Sequence, residues 1–269
     1  MITTNFDNSN DQLYPHRDLE KGRPSAMLRG SQRVYLKQEV DWMKVAVDIE
    51  GRMEYLCYDA SKVQPGSEFV PMGNPMFHLS EKSGFCNRLF CPPENREMKI
   101  QIRDVANGGS AEPFIVLEKN YSFTCFCLDR PNFLITLNEN GRKTNMGRIE
   151  YPFNCCDYNF NIFDAKGGLK FRVLGNCCQC GVLCPRGCCT SCNNAAFPVV
   201  SASGDEVTMI KRINHDPFKG CLAQTDDYYV DFQPGLDYFD RVLLIGATLM
   251  LNLMIYRPTR RDQNKHDNH

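Results

Sequence analysis

The sequence predicts a mainly β protein: one closed or strongly curved antiparallel sheet with a single apolar helix threaded through it. Three observations carry that expectation. Short segments alternate apolar and polar residues, as a strand with one wet face must. Turn signals containing glycine punctuate these segments. One apolar run, Val242 to Ile255, follows the last of them.

From the start, residues 1–32 are rich in Asn, Asp, Arg and Ser without periodicity, which predicts a disordered polar leader. Met98 to Arg103 alternates strictly, and Phe133–Leu137, Phe160–Phe163, Glu206–Ile210 and Tyr228–Phe232 read as further strands. Hairpin signals fall at Asp104–Gly109, Asn138–Gly141, Asp164–Gly168 and Ser201–Asp205, each placing Gly where the backbone needs a positive φ. Two blocks also resemble each other. Asn140-Gly141, Arg148-Ile149 and Pro152-Phe153 recur as Ser203-Gly204, Arg212-Ile213 and Pro217-Phe218, 63 to 65 residues later. A duplicated hairpin block favours one closed sheet over a sandwich of unrelated parts.

Pro234-Gly235 ends the last strand, Asp237 can cap a helix with Asp240 three residues on, and Arg257-Pro258 stops it, which predicts a helix over 238–256. The 14-residue apolar run reaches roughly 21 Å at about 1.5 Å per residue, short of the roughly 30 Å core of a bilayer. Thr248 and Asn252 share one face with Arg241 below them, so the run is not uniformly lipid-like, and the stripe would offer polar partners to a passing lipid head group. Five aspartates precede the run (Asp226, Asp227, Asp231, Asp237, Asp240), and Arg257, Arg260, Arg261 and Lys265 follow it. A span obeying the positive-inside bias would put the cysteine-loaded body outside the cell, yet Met1 to Pro24 carries no apolar signal segment. A buried or shallowly inserted helix is therefore expected over a span, with 258–269 as a basic disordered tail.

The net charge of −1 argues against a nucleic-acid surface, so no nucleic-acid partner is expected. The 15 cysteines would be reduced in the cytosol, where clustered thiols serve metal ligation, acylation or redox chemistry. There is no nucleophile elbow, phosphate loop, H-E-x-x-H or cofactor fingerprint, so no enzyme is expected.

Phe85-Cys86-Asn87-Arg88-Leu89-Phe90-Cys91, followed by Arg96 and Met98-Lys99-Ile100, is similar to the Cys-x-Arg-x-x-Cys segment of the phospholipid scramblase family. Leu117-Glu118 running towards Cys125 and Cys127 resembles the strand leading to that family's acylated cysteines, and Ile245-Gly246-Ala247 resembles its terminal signature. The resemblance covers residues 42 to 257, collinearly. It implies a tubby-like, closed twelve-stranded antiparallel barrel over 33–257 around a hydrophobic C-terminal helix. It also implies calcium-stimulated, ATP-independent, bidirectional movement of phospholipids between leaflets, at the cytoplasmic face of the plasma membrane.

The chain departs from the family pattern in three places. In the family register the calcium-binding stretch runs from Gln224 to Gly235, with Asp226 the one carboxylate at a ligand position. Starting at Asp226 instead brings Asp237 to position twelve but puts Tyr228 and Val230 at three and five and Asp231 at six, where a tight loop has Gly. Weak Ca²⁺ binding involving Asp226, Asp231 and Asp237 stands beside a plain strand with acidic edges. Cys125 and Cys127 are a thinned cluster, readable as acylation sites or as buried strand thiols. The leader holds only Pro15 and Pro24, so no SH3 or WW partner is expected.

Residues 176–196 form a cysteine-rich insertion with Cys177, Cys178, Cys180, Cys184, Cys188, Cys189 and Cys192. Cys177-x-x-Cys180 and Cys189-x-x-Cys192 have the spacing of a Zn²⁺ knuckle. Acylation of an exposed loop and a loop of spare thiols are the competing readings, and Gly181, Pro185 and Gly187 favour a loop over a strand. Two functions of different class follow: a lipid-handling protein anchored by acyl chains and in contact with phospholipids, or an anchored module that binds signalling proteins or phosphoinositides and moves no lipid.

Overall fold

The structure is a computed structural model that describes residues 23–39, 52–63, 73–84, 87–88, 91, 95–105, 112–122, 130–139, 141–154, 157–183, 194–213 and 226–257. Twelve strands are present: β1 (Arg33–Gln38), β2 (Glu54–Asp59), β3 (Phe77–Lys82), β4 (Met98–Asp104), β5 (Ile115–Lys119), β6 (Asn132–Glu139), β7 (Arg142–Glu150), β8 (Phe160–Asp164), β9 (Leu169–Val173), β10 (Ala195–Ser201), β11 (Glu206–Ile213) and β12 (Asp227–Asp231). Each pairs antiparallel with its sequence neighbour, and β12 returns to pair with β1, Arg33 opposite Asp231 and Leu36 opposite Tyr228. The sheet is a closed barrel with no free edge.

Four of the five sequence-predicted strands fall inside observed ones, and the fifth, Tyr228–Phe232, runs one residue past the end of β12. In β4, Met98, Ile100 and Ile102 point inward while Lys99 faces solvent, the alternation the sequence displayed. The β6–β7 link is two residues long, with Gly141 at φ +76°. Such a turn matches the strands' twist only with positive φ, hence the glycine. The two similar blocks occupy equivalent places: β7 follows the turn at Gly141, and β11 follows the turn at Gly204. The far part of the Asp104–Gly109 signal lies outside the described residues.

Helix α1 spans Arg23–Gly30, and a single helical turn, α2, spans Cys180–Leu183. Helix α3 runs from Tyr238 to Leu251 and continues as a π-helical turn, Asn252–Tyr256. Asp237 caps α3 by accepting from the Asp240 amide at 2.8 Å. Val242, Leu243, Leu244, Ala247, Leu249, Met250 and Leu251 are all sealed from solvent inside the barrel. Closing twelve strands leaves an interior wider than side chains alone fill, and an apolar helix fills it. The fit is close at Gly246, where a Cβ would stand 2.6 Å from Ile135 Cδ1 and 3.0 Å from Ile149 Cδ1.

Helix α1 corrects one boundary. Residues 23–30 lie in the stretch expected to be disordered, yet Ser25 and Leu28 are buried. Too short to stand alone in water, this helix is held by packing and by Arg241, whose guanidinium donates to the carbonyls of Leu28 and Ser31 at 2.6 Å and Arg29 at 2.9 Å. Residues 1–22 and 258–269 lie outside the described residues.

Candidate functional site

Because every strand pairs antiparallel with the next, the twelve links divide cleanly between the barrel's two ends. At one end α3 begins and α1 lies. At the other, α3 stops at Tyr256 and Arg257, and the links β1–β2, β3–β4, β5–β6, β7–β8, β9–β10 and β11–β12 gather. The inward positions nearest this second end are polar: Gln38 on β1, Glu81 on β3, Lys119 on β5 and Arg212 on β11.

They form a buried ionic layer under the helix end. The Glu81 carboxylate accepts from Arg96 at 3.0 Å, from Arg257 at 3.4 Å and from the Met53 amide at 2.9 Å. Burial by itself would raise the Glu81 carboxyl, but Arg257, Arg96 and the Ser83 hydroxyl outweigh it and hold it below the usual carboxylate range. Lys119 donates to the Arg96 carbonyl at 2.9 Å. Arg212 donates to Asp226 at 2.6 Å and lies over the Tyr256 ring at 4.2 Å. Gln38 accepts from the Asp226 amide and from Tyr55. Glu81, Arg96, Lys119 and Arg212 are almost fully buried, so each needs its partners.

The polar stripe of α3 is used up inside the fold. Arg241 serves the carbonyls at the end of α1, Thr248 donates to the Leu244 carbonyl at 2.9 Å, and the Asn252 amide donates to Tyr228 at 3.0 Å. By length and composition Tyr238–Tyr256 is apolar enough to cross a membrane, and it is buried in the barrel instead.

The three calcium candidates are not brought together. Asp226 directly precedes β12 and Asp231 ends it; the strand rises about 3.3 Å per residue, so roughly 16 Å separates them. Asp226 is paired with Arg212; Asp231 is paired with Arg33 and, at 3.3 Å, with Lys211; and Asp237 caps α3. No three His, Cys, Asp or Glu residues converge among the described residues.

Of the acylation candidates, Cys125, Cys127, Cys184, Cys188, Cys189 and Cys192 lie outside the described residues. Cys178 and Cys180 are exposed free thiols, and the sulfurs of Cys177 and Cys178 are 3.8 Å apart. The sequence reading of this stretch as loop misses α2. Gln179 fixes it to the barrel by pairing its amide with both main-chain groups of Ala196, at 2.9 and 3.0 Å. Gly181 sits where a Cβ would be 2.1 Å from the Asn194 carbonyl oxygen, so only glycine passes. Cys57, by contrast, is buried on β2, and burial pushes its thiol well above the usual range, leaving it inert.

A barrel that encloses its own apolar helix, and whose buried charges are spent on each other, defines a protein that works through its surface and links. The family model described as Scramblase matches residues 17–258, and the chain belongs to that family. This is a family of lipid translocators, which sets phospholipids and membranes as the class of partner. No solved structure matches the chain.

Proposed function

We propose that this chain moves phospholipids between leaflets without ATP, residing at the cytoplasmic face of the plasma membrane through acylated cysteines. The observation that carries the anchoring is the pairing of a sequestered helix with exposed thiols: α3 is occupied as barrel filling while Cys178 and Cys180 face solvent. One acyl chain gives marginal membrane residence and two give stable residence, so a cluster of thiols suits the task. Acylation is preferred here to Zn²⁺ at Cys177 and Cys180. Calcium binding at Asp226, Asp231 and Asp237 is expected to be weak, since their carboxylates already serve cations or a helix cap.

Two experiments test this. Cells expressing Cys125→Ser/Cys127→Ser, or all seven cysteines from Cys177 to Cys192 as Ser, should show protein released to the soluble fraction. Unchanged, alkali-resistant association in both refutes acyl anchoring. Purified full-length chain in proteoliposomes should collapse a leaflet asymmetry of labelled lipid. Asymmetry retained at every calcium level supports the second reading, an anchored module for signalling proteins or phosphoinositides, which the internal use of Arg241, Thr248 and Asn252 favours.

A further inference from the structure

The cysteines are not spread over the barrel. Fourteen of the fifteen belong to five links at the end where α3 stops: β3–β4, β5–β6, β7–β8, β9–β10 and β11–β12. The links at the opposite end contain none, and the remaining one, Cys57, lies on a strand. Of the six large apolar side chains exposed among the described residues, four stand in these links, while Leu134 lies on β6 and Leu169 starts β9 at the opposite end. Tyr121, Phe153, Leu174 and Leu183, 58, 55, 38 and 70% exposed, stand in the β5–β6, β7–β8 and β9–β10 links. These links are neighbours around the rim, and two of them are stitched together by a bridge between Asp157 and Asn176 and by the Tyr158 amide donating to the Gly175 carbonyl at 2.9 Å.

We infer that this rim is a docking face for a lipid surface, on which the barrel stands end-on with the start of α3 directed away from the membrane. The inference rests on the membrane-associated reading above but does not require lipid movement. Charge supports it. Arg130 lies over the Tyr151 ring at 4.6 Å and the Phe153 ring at 5.9 Å, the pairing of cation and aromatic suited to a zone apolar on one side and wet on the other. A cation placed this way, Arg130, is one that anionic head groups attract. Cys178 and Cys180 share the rim, so acyl chains on them would enter the same membrane that the side chains touch. The opposite end offers Asn138–Gly141, Asp164–Gly168 and Ser201–Asp205, polar turns suited to water.

The test uses full-length, unacylated protein and flotation on phosphatidylcholine vesicles with and without phosphatidylserine. The chain should partition onto both and more tightly onto the second. Phe153→Asp and Leu183→Asp should each lower partition about tenfold, with thermal unfolding unchanged because both side chains are exposed. Leu169→Asp, 37% exposed at the start of β9 on the other end, should leave partition unaltered. Hydrogen exchange on vesicles should slow at Tyr121, Phe153 and Leu183 and not at Ser201–Asp205. Absent partition, equal losses at both ends, or protection at the polar turns overturns the inference. So does a dimer in sedimentation that Leu183→Asp abolishes, which would assign the rim to a second copy. Partition without lipid movement refutes the translocation reading alone and leaves the docking face standing.

Discussion

At the end of the barrel where α3 begins, Arg241 closes the fold by donating to three main-chain carbonyls around the end of α1. At the end where α3 stops, closure depends on ionised side chains: Glu81 with Arg96 and Arg257, and Asp226 with Arg212. Three links at the first end are short polar turns, and every link that contains cysteine lies at the second. The contrast teaches a division of labour. Main-chain closure is insensitive to pH, while a buried ionic layer holds only as long as every charge keeps its partner.

The largest test strikes the axis that both ends share. Leu244 is fully buried, and Leu244→Asp should abolish the cooperative thermal transition, because an unpaired buried carboxylate costs as much as the whole fold is worth. A folded, cooperative Leu244→Asp barrel would mean that α3 is not its filling. Next comes Glu81→Gln, which removes the carboxylate that Arg96 and Arg257 both meet and should cost about 3–5 kcal/mol in urea unfolding.

The same residue sets a pH signature. Its carboxyl is held below its usual range in the folded state, so its stabilisation is complete above the unfolded value of about 4.3. That stabilisation is lost as pH falls through the lower, folded value. Wild type should weaken over this acid window, and Glu81→Gln should be flatter there; identical slopes would remove Glu81 from the ionic layer.

A smaller effect is expected at the end where α3 begins. Arg241→Met leaves carbonyls of α1 unserved and should cost about 1–3 kcal/mol while keeping the wild-type acid slope. A flattened slope in this variant would erase the distinction between the ends. The smallest is Asp237→Ala, the loss of one helix cap, at about 1 kcal/mol in the same unfolding experiment.

Strands were legible where one face is wet, as in β4 and β11, since period-two alternation is then written into the residues themselves. It gives no guide where an inward position is charged: Glu81 on β3 and Lys119 on β5 are charged residues, yet both are buried. Their partners sit on other strands and at the end of α3, and such long-range pairing has no local spacing to reveal it. The calcium candidates show the converse. Asp226, Asp231 and Asp237 look clustered along the chain, but an extended strand carries the first two to opposite ends of the barrel.

The sequence by itself determined the class of fold, the turns, the capped apolar helix and the family, because alternation, glycine at positive φ and a long apolar run are local properties. Only the tertiary structure decided that the polar stripe of α3 serves the fold and that Cys178 and Cys180 are exposed in a link at the end where α3 stops. The physical reason is closure. Once β12 pairs with β1, every inward side chain must satisfy another inward side chain, and every second link must emerge at the same end.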